Sequence, residues 1–501
     1  MAPVVQTIFS ASKEGAIRRS GARWRSRRTE YSVNASPCLP RQSRWSASRK
    51  RPVRARVVKT PRMPMSVRSS ASRGILRRDT RASGPEAVDI DGFPSFGCGA
   101  SPSSRQSEDL GPAVPCRVAF EEVAYQEAKG DPMLSEPLPP IIDADGHVVE
   151  PEATWADHLD SRFLDFVPRA VVEGDSFHFR SGALEGFRMH AHPESLASPR
   201  EAGGRSGGLR SATGAADPAS RLADMAVDRI VQSVIYPTYG LMIQGVQDPA
   251  AATALCRAVN DWIAEYCRHD PVHLRGVGVL PQTSPADAIA EARRCLEQLG
   301  MQGVWRRPER IPGTPALHDP GYEGLWSYLE EADRPFALHP GLNGLVPCDE
   351  LRYRYDDHYG AMHAVHFPME QMMGLTDMIC FGILDRHPRL RVAFLETGAS
   401  WALSLLHRLD EHLELFGFPE RPKEKPSDQF RRQGFVSVEE VEPGLGAMLE
   451  AYPDSVLFAS DYPHGDGVFP GSTADLIETD CLDEEARARV LYRNAQRFYS
   501  I

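Results

Sequence analysis

The 501-residue chain has nine cysteines, at 38, 98, 116, 256, 267, 295, 348, 380 and 481, and no two of them form a C-x-x-C pair. So scattered an odd set makes neither a zinc knuckle nor a disulfide framework, and it fits a reducing, cytoplasmic compartment. Long apolar runs are missing too. None reaches the roughly 18 residues of a membrane helix, so no membrane partner is expected. Acids are scarce at the start. Residues 1–80 hold 20 Lys and Arg against Glu14, Glu30 and Asp79, a net charge of +17, whereas residues 133–501 hold 33 basic and 56 acidic residues, a net of −23. One chain therefore joins two kinds of sequence.

The basic part, with stretches such as "RRSGARWRSRRTE" and "RWSASRKRPVRARVVKTPR", is rich in Arg, Ser and Pro and has no sustained apolar period. Such composition cannot bury enough surface to offset chain entropy, so residues 1–132 are expected to be a disordered extension. Three origins compete for it: a transit peptide, a nucleic-acid arm binding phosphate without specificity, or sequence upstream of the natural start. Met133 opens "MLSEPLPPIIDADGHVVEP", which reads as such a start. No specific nucleic-acid partner is expected.

In "IIDADGHVVEP", two isoleucines lead into Asp143, Asp145 and His147. In a strand, residues i, i+2 and i+4 share one face, so the three would point the same way. Beyond it, a polar region to about residue 220 carries "EAGGRSGGLRSATGAADPAS", a flexible insertion of about 150–220. Apolar runs then alternate with helical patterns. "SPADAIAEARRCLEQLG" starts on a Ser cap and ends on Gly. Strand-like runs near 141, 229, 275, 302, 335, 391, 433 and 456 make eight, and a segment of roughly 360–387 is helical. With 42% hydrophobic residues to bury, residues 133–501 are expected to form a distorted α/β (β/α)8 TIM barrel.

In such barrels chemistry sits at the C-terminal ends of the strands. There the sequence places Asp145, His147, His339, Glu396 and Asp461. One His or Asp at a strand end is commonly a loop or cap residue. Four strands ending in ligand-type residues point to a divalent metal with positions open to substrate. Such an ion polarises a carbonyl or carboxylate and lowers the pKa of bound water towards about 7.

"DADGHVVEP", "LHPG", "GILDRHPRLRVAFLETGASW" and "FASDYPHGDG", in this order over about 140–498, resemble the amidohydrolase-related family. That branch of the amidohydrolase superfamily includes aminocarboxymuconate semialdehyde decarboxylase and the hydroxybenzoate decarboxylases. The resemblance implies a distorted barrel holding one Zn2+ or Mn2+. By position, Asp145 and His147 match the first ligand pair, His339 the strand-five ligand and Asp461 the strand-eight acid. Two departures stand out. Many members open with His-x-His, whereas Asp145 occupies the first position here, as in the hydroxybenzoate decarboxylases. Those decarboxylases also carry a catalytic His after strand six, in a Gly-His-x-Gly-Glu setting, where this chain has "LETGA" with Glu396.

Glu396 has two readings. One is a proton shuttle or substrate-orienting acceptor; the other is a cap on the helix beginning near Ala399. His464 and Asp466 follow the last strand, either lining the pocket or lying in a loop. His363 and His366 share a helix face, and Arg306 and Arg307 are either a carboxylate clamp or a solvated pair. Asp143 reads as structural, below the ligands. The expected protein is a metal-dependent carboxy-lyase or hydrolase of a small carboxylated substrate, with Glu396, Asp461 and His464 as catalytic candidates and a homodimer as one assembly. In decarboxylation a general acid protonates the carbon. In hydrolysis, metal-activated water attacks an ester, lactone, amide or ring C–C linkage and Asp461 takes its proton. Outside catalysis, a binding protein or an RNA-associated protein using the basic arm stays open.

Overall fold

The computed structural model describes residues 139–501, apart from 174–175, 182–183, 186–188, 191–212, 342–347, 357, 421 and 466. The expectations for the basic extension, Met133 and Asp466 lie outside these residues.

Eight parallel strands follow one another around a single sheet. They are β1 (Ile141–Val148), β2 (Ile230–Pro237), β3 (Leu274–Val279), β4 (Gly303–Arg306), β5 (Phe336–Leu338), β6 (Val392–Phe394), β7 (Gly434–Val438) and β8 (Val456–Phe458). Each begins within one residue of its expected start. Six of them are wholly buried, and three of those, "FAL", "VAF" and "VLF", are also apolar at every position. Strands enclosed by helices on one side and barrel core on the other are apolar throughout. The barrel closes just past β8, where Asp461 N donates to Asp145 O at 3.0 Å and His147 N to Tyr462 O at 2.5 Å.

Local chemistry starts the helices. Asp217, Asp248 and Ser284 each precede a proline at the first helical position, and each side chain accepts a backbone N–H of the first turn. Side-chain caps with Pro at the first position satisfy or remove donors that a helix start leaves free. The 150–220 region is more regular than its polarity suggests. It holds a helix (Glu152–His158) and a small antiparallel sheet built on Arg169–Glu173 and Ser176–Ser181.

β1 departs from simple alternation. Its register against β2 shifts between Asp143 and Gly146, so the odd positions do not all share one face. Asp143 lies on the side of Gly146: a Cβ there would collide with Asp143, Arg221 and Ser233. Such a bulge re-aims side chains beside a site.

Candidate metal centre

The bulge sorts the three acidic and imidazole residues of β1 into a support and a site. Asp143, fully buried, accepts from Ser233 Oγ at 2.7 Å and from Ser460 N and Oγ at 2.8 Å each. It thereby joins β1 to β2 and to the segment after β8. Arg221, from helix Pro218–Val227, donates to His147 O at 3.0 Å and to Ser233 Oγ at 2.9 Å, and its guanidinium lies 4.2 Å from the Tyr462 ring centre. Asp143 is thus structural, as expected.

Asp145 and His147 turn the other way, towards His339 after β5. His147 Nδ1 lies 2.9 Å from Pro237 O and His339 Nδ1 2.8 Å from Pro340 O. A carbonyl only accepts, so each Nδ1 carries the proton and each neutral ring keeps its lone pair on Nε2. Burial pushes the pKa of His147 down to about 3 and that of His339 down to about 4, which keeps both rings neutral. Yet the two Nε2 atoms face each other at 3.2 Å. Asp145 adds Oδ1 at 3.4 Å from His147 Nε2 and Oδ2 at 3.6 Å from His339 Nε2. Neither of its buried oxygens has a hydrogen-bond partner. Burial raises its pKa to about 7.

Lone pairs and a carboxylate packed this closely need a proton or a cation among them. Atoms sharing an ion at roughly 2.0–2.2 Å sit about 3–3.6 Å apart in octahedral or tetrahedral arrangements, the spacing found here. The residues present therefore fit one divalent metal. Within the trio of Asp145, His147 and His339, the ligand atoms all lie within 4.8 Å of one another, and so do those of His147, Asp461 and His464.

Asp461 enters from the loop after β8, with Oδ1 at 3.4 Å from His147 Nε2. His464 Nδ1 sits 2.7 Å from Asp461 Oδ1, and its Nε2 sits 3.0 Å from Thr238 Oγ1. The His464 ring centre is 4.2 Å from that of His147. Asp461, His464 and Thr238 are therefore linked in a row beside the imidazoles.

Glu396 ends the β6 segment with its Oε2 at 3.1 Å from His339 Nε2. It does not cap the following helix (Ser400–Phe416), because Glu442 accepts from Ala399 N at 2.8 Å and Ser400 N at 2.7 Å. Both Glu396 and Asp461 have positive φ, 57° and 50°. Non-glycine residues held there cost of order 1–3 kcal/mol, and such strain gathers at functional sites.

The other candidate residues have partners of their own. Arg306 and Arg307 are fully buried, which rules out a solvated pair. Arg307 Nε bonds Glu370 Oε1 at 2.6 Å, with His366 Nε2 3.1 Å from its guanidinium. His363 packs its ring against Phe367 at 4.0 Å. Sequence reading missed Gln371, whose Nε2 donates to Leu338 O at 2.8 Å and Leu395 O at 2.9 Å, just before His339 and Glu396. It also missed Arg221 and Thr238. A cavity of about 470 Å³ bounded by Glu309, Arg310, His318, Met373 and Asp377 includes none of the ligand residues.

A closed parallel barrel with imidazoles and carboxylates gathered at its C-terminal mouth defines a metal-dependent barrel enzyme. The amidohydrolase family model matches residues 142–501. The chain belongs to that family, as a metal-dependent hydrolase or carboxy-lyase. A gamma-resorcylate decarboxylase of Polaromonas sp. (strain JS666) is 24% identical over 298 residues, 56% of this chain and 89% of that protein. Among solved structures, an amidohydrolase of Mycobacterium avium subsp. paratuberculosis K-10 superposes with a TM-score of 0.60 at 22% identity, covering 72% of this chain and 99% of that one. A dihydroxybenzoic acid decarboxylase of Polaromonas sp. JS666, solved with manganese and the inhibitor 2-nitroresorcinol, gives 0.52 at 18% identity, covering 72% and 97%. At these identities the solved structures speak for the fold. Among the described residues, no helix is long and apolar enough to cross a membrane.

Proposed function

We propose that this chain is a metal-dependent carboxy-lyase that releases CO2 from a small carboxylated substrate, with Asp145, His147, His339 and Asp461 as the metal ligands. The observation that carries the reading is the pair of unprotonated Nε2 atoms 3.2 Å apart, beside a buried carboxylate with no hydrogen-bond partner. The gamma-resorcylate decarboxylase likeness supports the choice of reaction. An ion bound here would polarise the substrate's carboxylate and a neighbouring oxygen.

The protein's own groups do the rest. The substrate's C–C bond to its carboxylate breaks, the electron pair stays on carbon, CO2 leaves, and the carbon takes one proton. Asp461 and His464 are the linked pair placed to hold and deliver that proton, 2.7 Å apart. Thr238, 3.0 Å from the far nitrogen of His464, fixes the ring. Tyr236 and Trp305 floor the site, with ring centres 5.7 Å from that of His339, and keep water out from below.

A second reading, hydrolysis of an ester, lactone or amide, is favoured by one observation. The β6 segment ends in Glu396, not in the histidine of the decarboxylases this sequence resembles. Hydrolysis would run the same pair in the opposite direction, Asp461 taking the proton of the attacking water. The test is Mn2+-loaded protein with gamma-resorcylate and related hydroxybenzoates in D2O, alongside aryl esters and lactones. The expected result is CO2 release with one deuterium on the carbon that lost it. Ester or lactone turnover without CO2 release from any acid overturns the carboxy-lyase reading.

A further inference from the structure

We propose that Glu396 binds the metal ion directly, as a third carboxylate of the site, and is not the enzyme's proton donor. This rests on the metal reading above. The argument begins with His339. Its Nδ1 is committed to Pro340 O, so Nε2 carries the lone pair. Glu396 Oε2 faces that lone pair at 3.1 Å, closer than Asp145 Oδ2 at 3.6 Å. Two acceptors so placed must share a proton or a cation. Once an ion takes the lone pair of His339 Nε2, no proton can sit there, and Glu396 Oε2 is left beside the ion.

Three further features hold the carboxylate there. Its backbone N–H is fixed by Ser437 Oγ at 2.9 Å, from β7. Its backbone is held at a φ of 57°, a conformation that non-glycine residues rarely adopt. Its second oxygen, Oε1, stands 3.9 Å from His464 Nδ1, so the group spans from the His339 side of the site to the Asp461 side. The task that would otherwise explain an acid at this point, capping helix Ser400–Phe416, belongs to Glu442.

The consequence is a set of three carboxylates and two imidazoles. So oxygen-rich a set suits a hard cation such as Mn2+. It also leaves the proton chemistry to Asp461 and His464.

The test measures metal binding without turnover. Metal-stripped protein is titrated with Mn2+, and Co2+ is added separately to record its visible spectrum. The proteins are unsubstituted, Glu396→Gln, Glu442→Gln and His147→Ala, each first checked for folding by circular dichroism. Glu396→Gln should weaken Mn2+ binding by about 100-fold, the upper end of what groups supporting a metal site contribute. Its Co2+ bands should intensify as the coordination number drops. Glu442→Gln should change neither reading, because it touches only the helix. Unchanged Mn2+ affinity and Co2+ spectrum in folded Glu396→Gln, with binding lost in His147→Ala, overturns the proposal and leaves the metal site standing. Unchanged binding in His147→Ala as well overturns the metal site itself.

Discussion

In EDTA at pH 8, Asp145→Asn should melt at a higher temperature than the unsubstituted protein. The reason is the burial of a carboxylate whose two oxygens have no hydrogen-bond partner. In the folded chain burial raises its pKa from the ordinary 3.8 to about 7. The folded value lies above the unfolded one. Between the two, the folded state keeps a proton that the unfolded chain has released, so stability falls as pH rises from about 4 to 7, and the penalty is full above that. A rise of this size corresponds to about 4 kcal/mol. Asn cannot ionise, so the variant escapes this penalty while keeping the shape. At roughly 2.1 cal/mol/K per residue, a barrel of this size should gain about 5 °C. His147 and His339 titrate in both proteins, so their contributions largely cancel in the comparison. Excess Mn2+ should narrow the gap and, above about 1,000 times its Kd, reverse the order, since a ligand at that excess adds about 4.1 kcal/mol to whichever protein binds it. Differential scanning fluorimetry from pH 4 to 8, with and without Mn2+, reads all of this. Two results would refute the reasoning: Asp145→Asn melting below the unsubstituted protein in EDTA at pH 8, or a gap of the same size at pH 4.

Gly146→Ala places a methyl group against Arg221, Asp143 and Ser233; it should cost about 1–3 kcal/mol and lower metal content by elemental analysis, and full occupancy with unchanged melting would contradict the bulge. Asp461→Asn and His464→Gln should each lower kcat by roughly 10²-fold or more, and the double variant should lose little beyond the worse single one, because the two act as a unit. Glu442→Gln should lower stability by about 1 kcal/mol through a weakened helix start, read by chemical denaturation, with CO2 release at the unsubstituted rate.

The barrel was legible because its signals are local. Each strand is a short apolar run beside a helix with its own start, as at Ser284 and Pro285, and such signals survive without knowledge of the tertiary structure. The polar residues at strand ends were legible for the same reason, since the end of a run marks where a side chain meets the barrel mouth. What escaped depends on long-range pairing. The β1 bulge exists only relative to the β2 register, so reading Asp143, Asp145 and His147 as one face failed. The burial of Arg306 and Arg307 is set by packing, including Glu370 some 63 residues away, and a pair of arginines carries no mark of it. Gln371 looks like any polar residue on a long helix until two strand ends come within reach. Glu396 was found by position, but its competing role as a helix cap could be removed only once Glu442 was seen at that helix.

The seam between the first strand and the last has a consequence for biosynthesis. Asp145 and His147 sit on β1, and Asp461 reaches them across the seam, with its own N–H bonded to Asp145 O at 3.0 Å. Tyr499, in the helix Asn494–Tyr499, donates from its hydroxyl to Ala144 O at 2.7 Å, inside the same bulge. A ribosome therefore makes the first two proposed ligands more than 300 residues before the acid that would join them. Contacts this far apart in sequence form late, after the costly closure of a long loop. A nascent chain cannot hold the ion tightly until translation has passed β8 and the terminal helix has docked. On the proposed ligand set, tight metal binding waits for the seam between β1 and the segment after β8 to close.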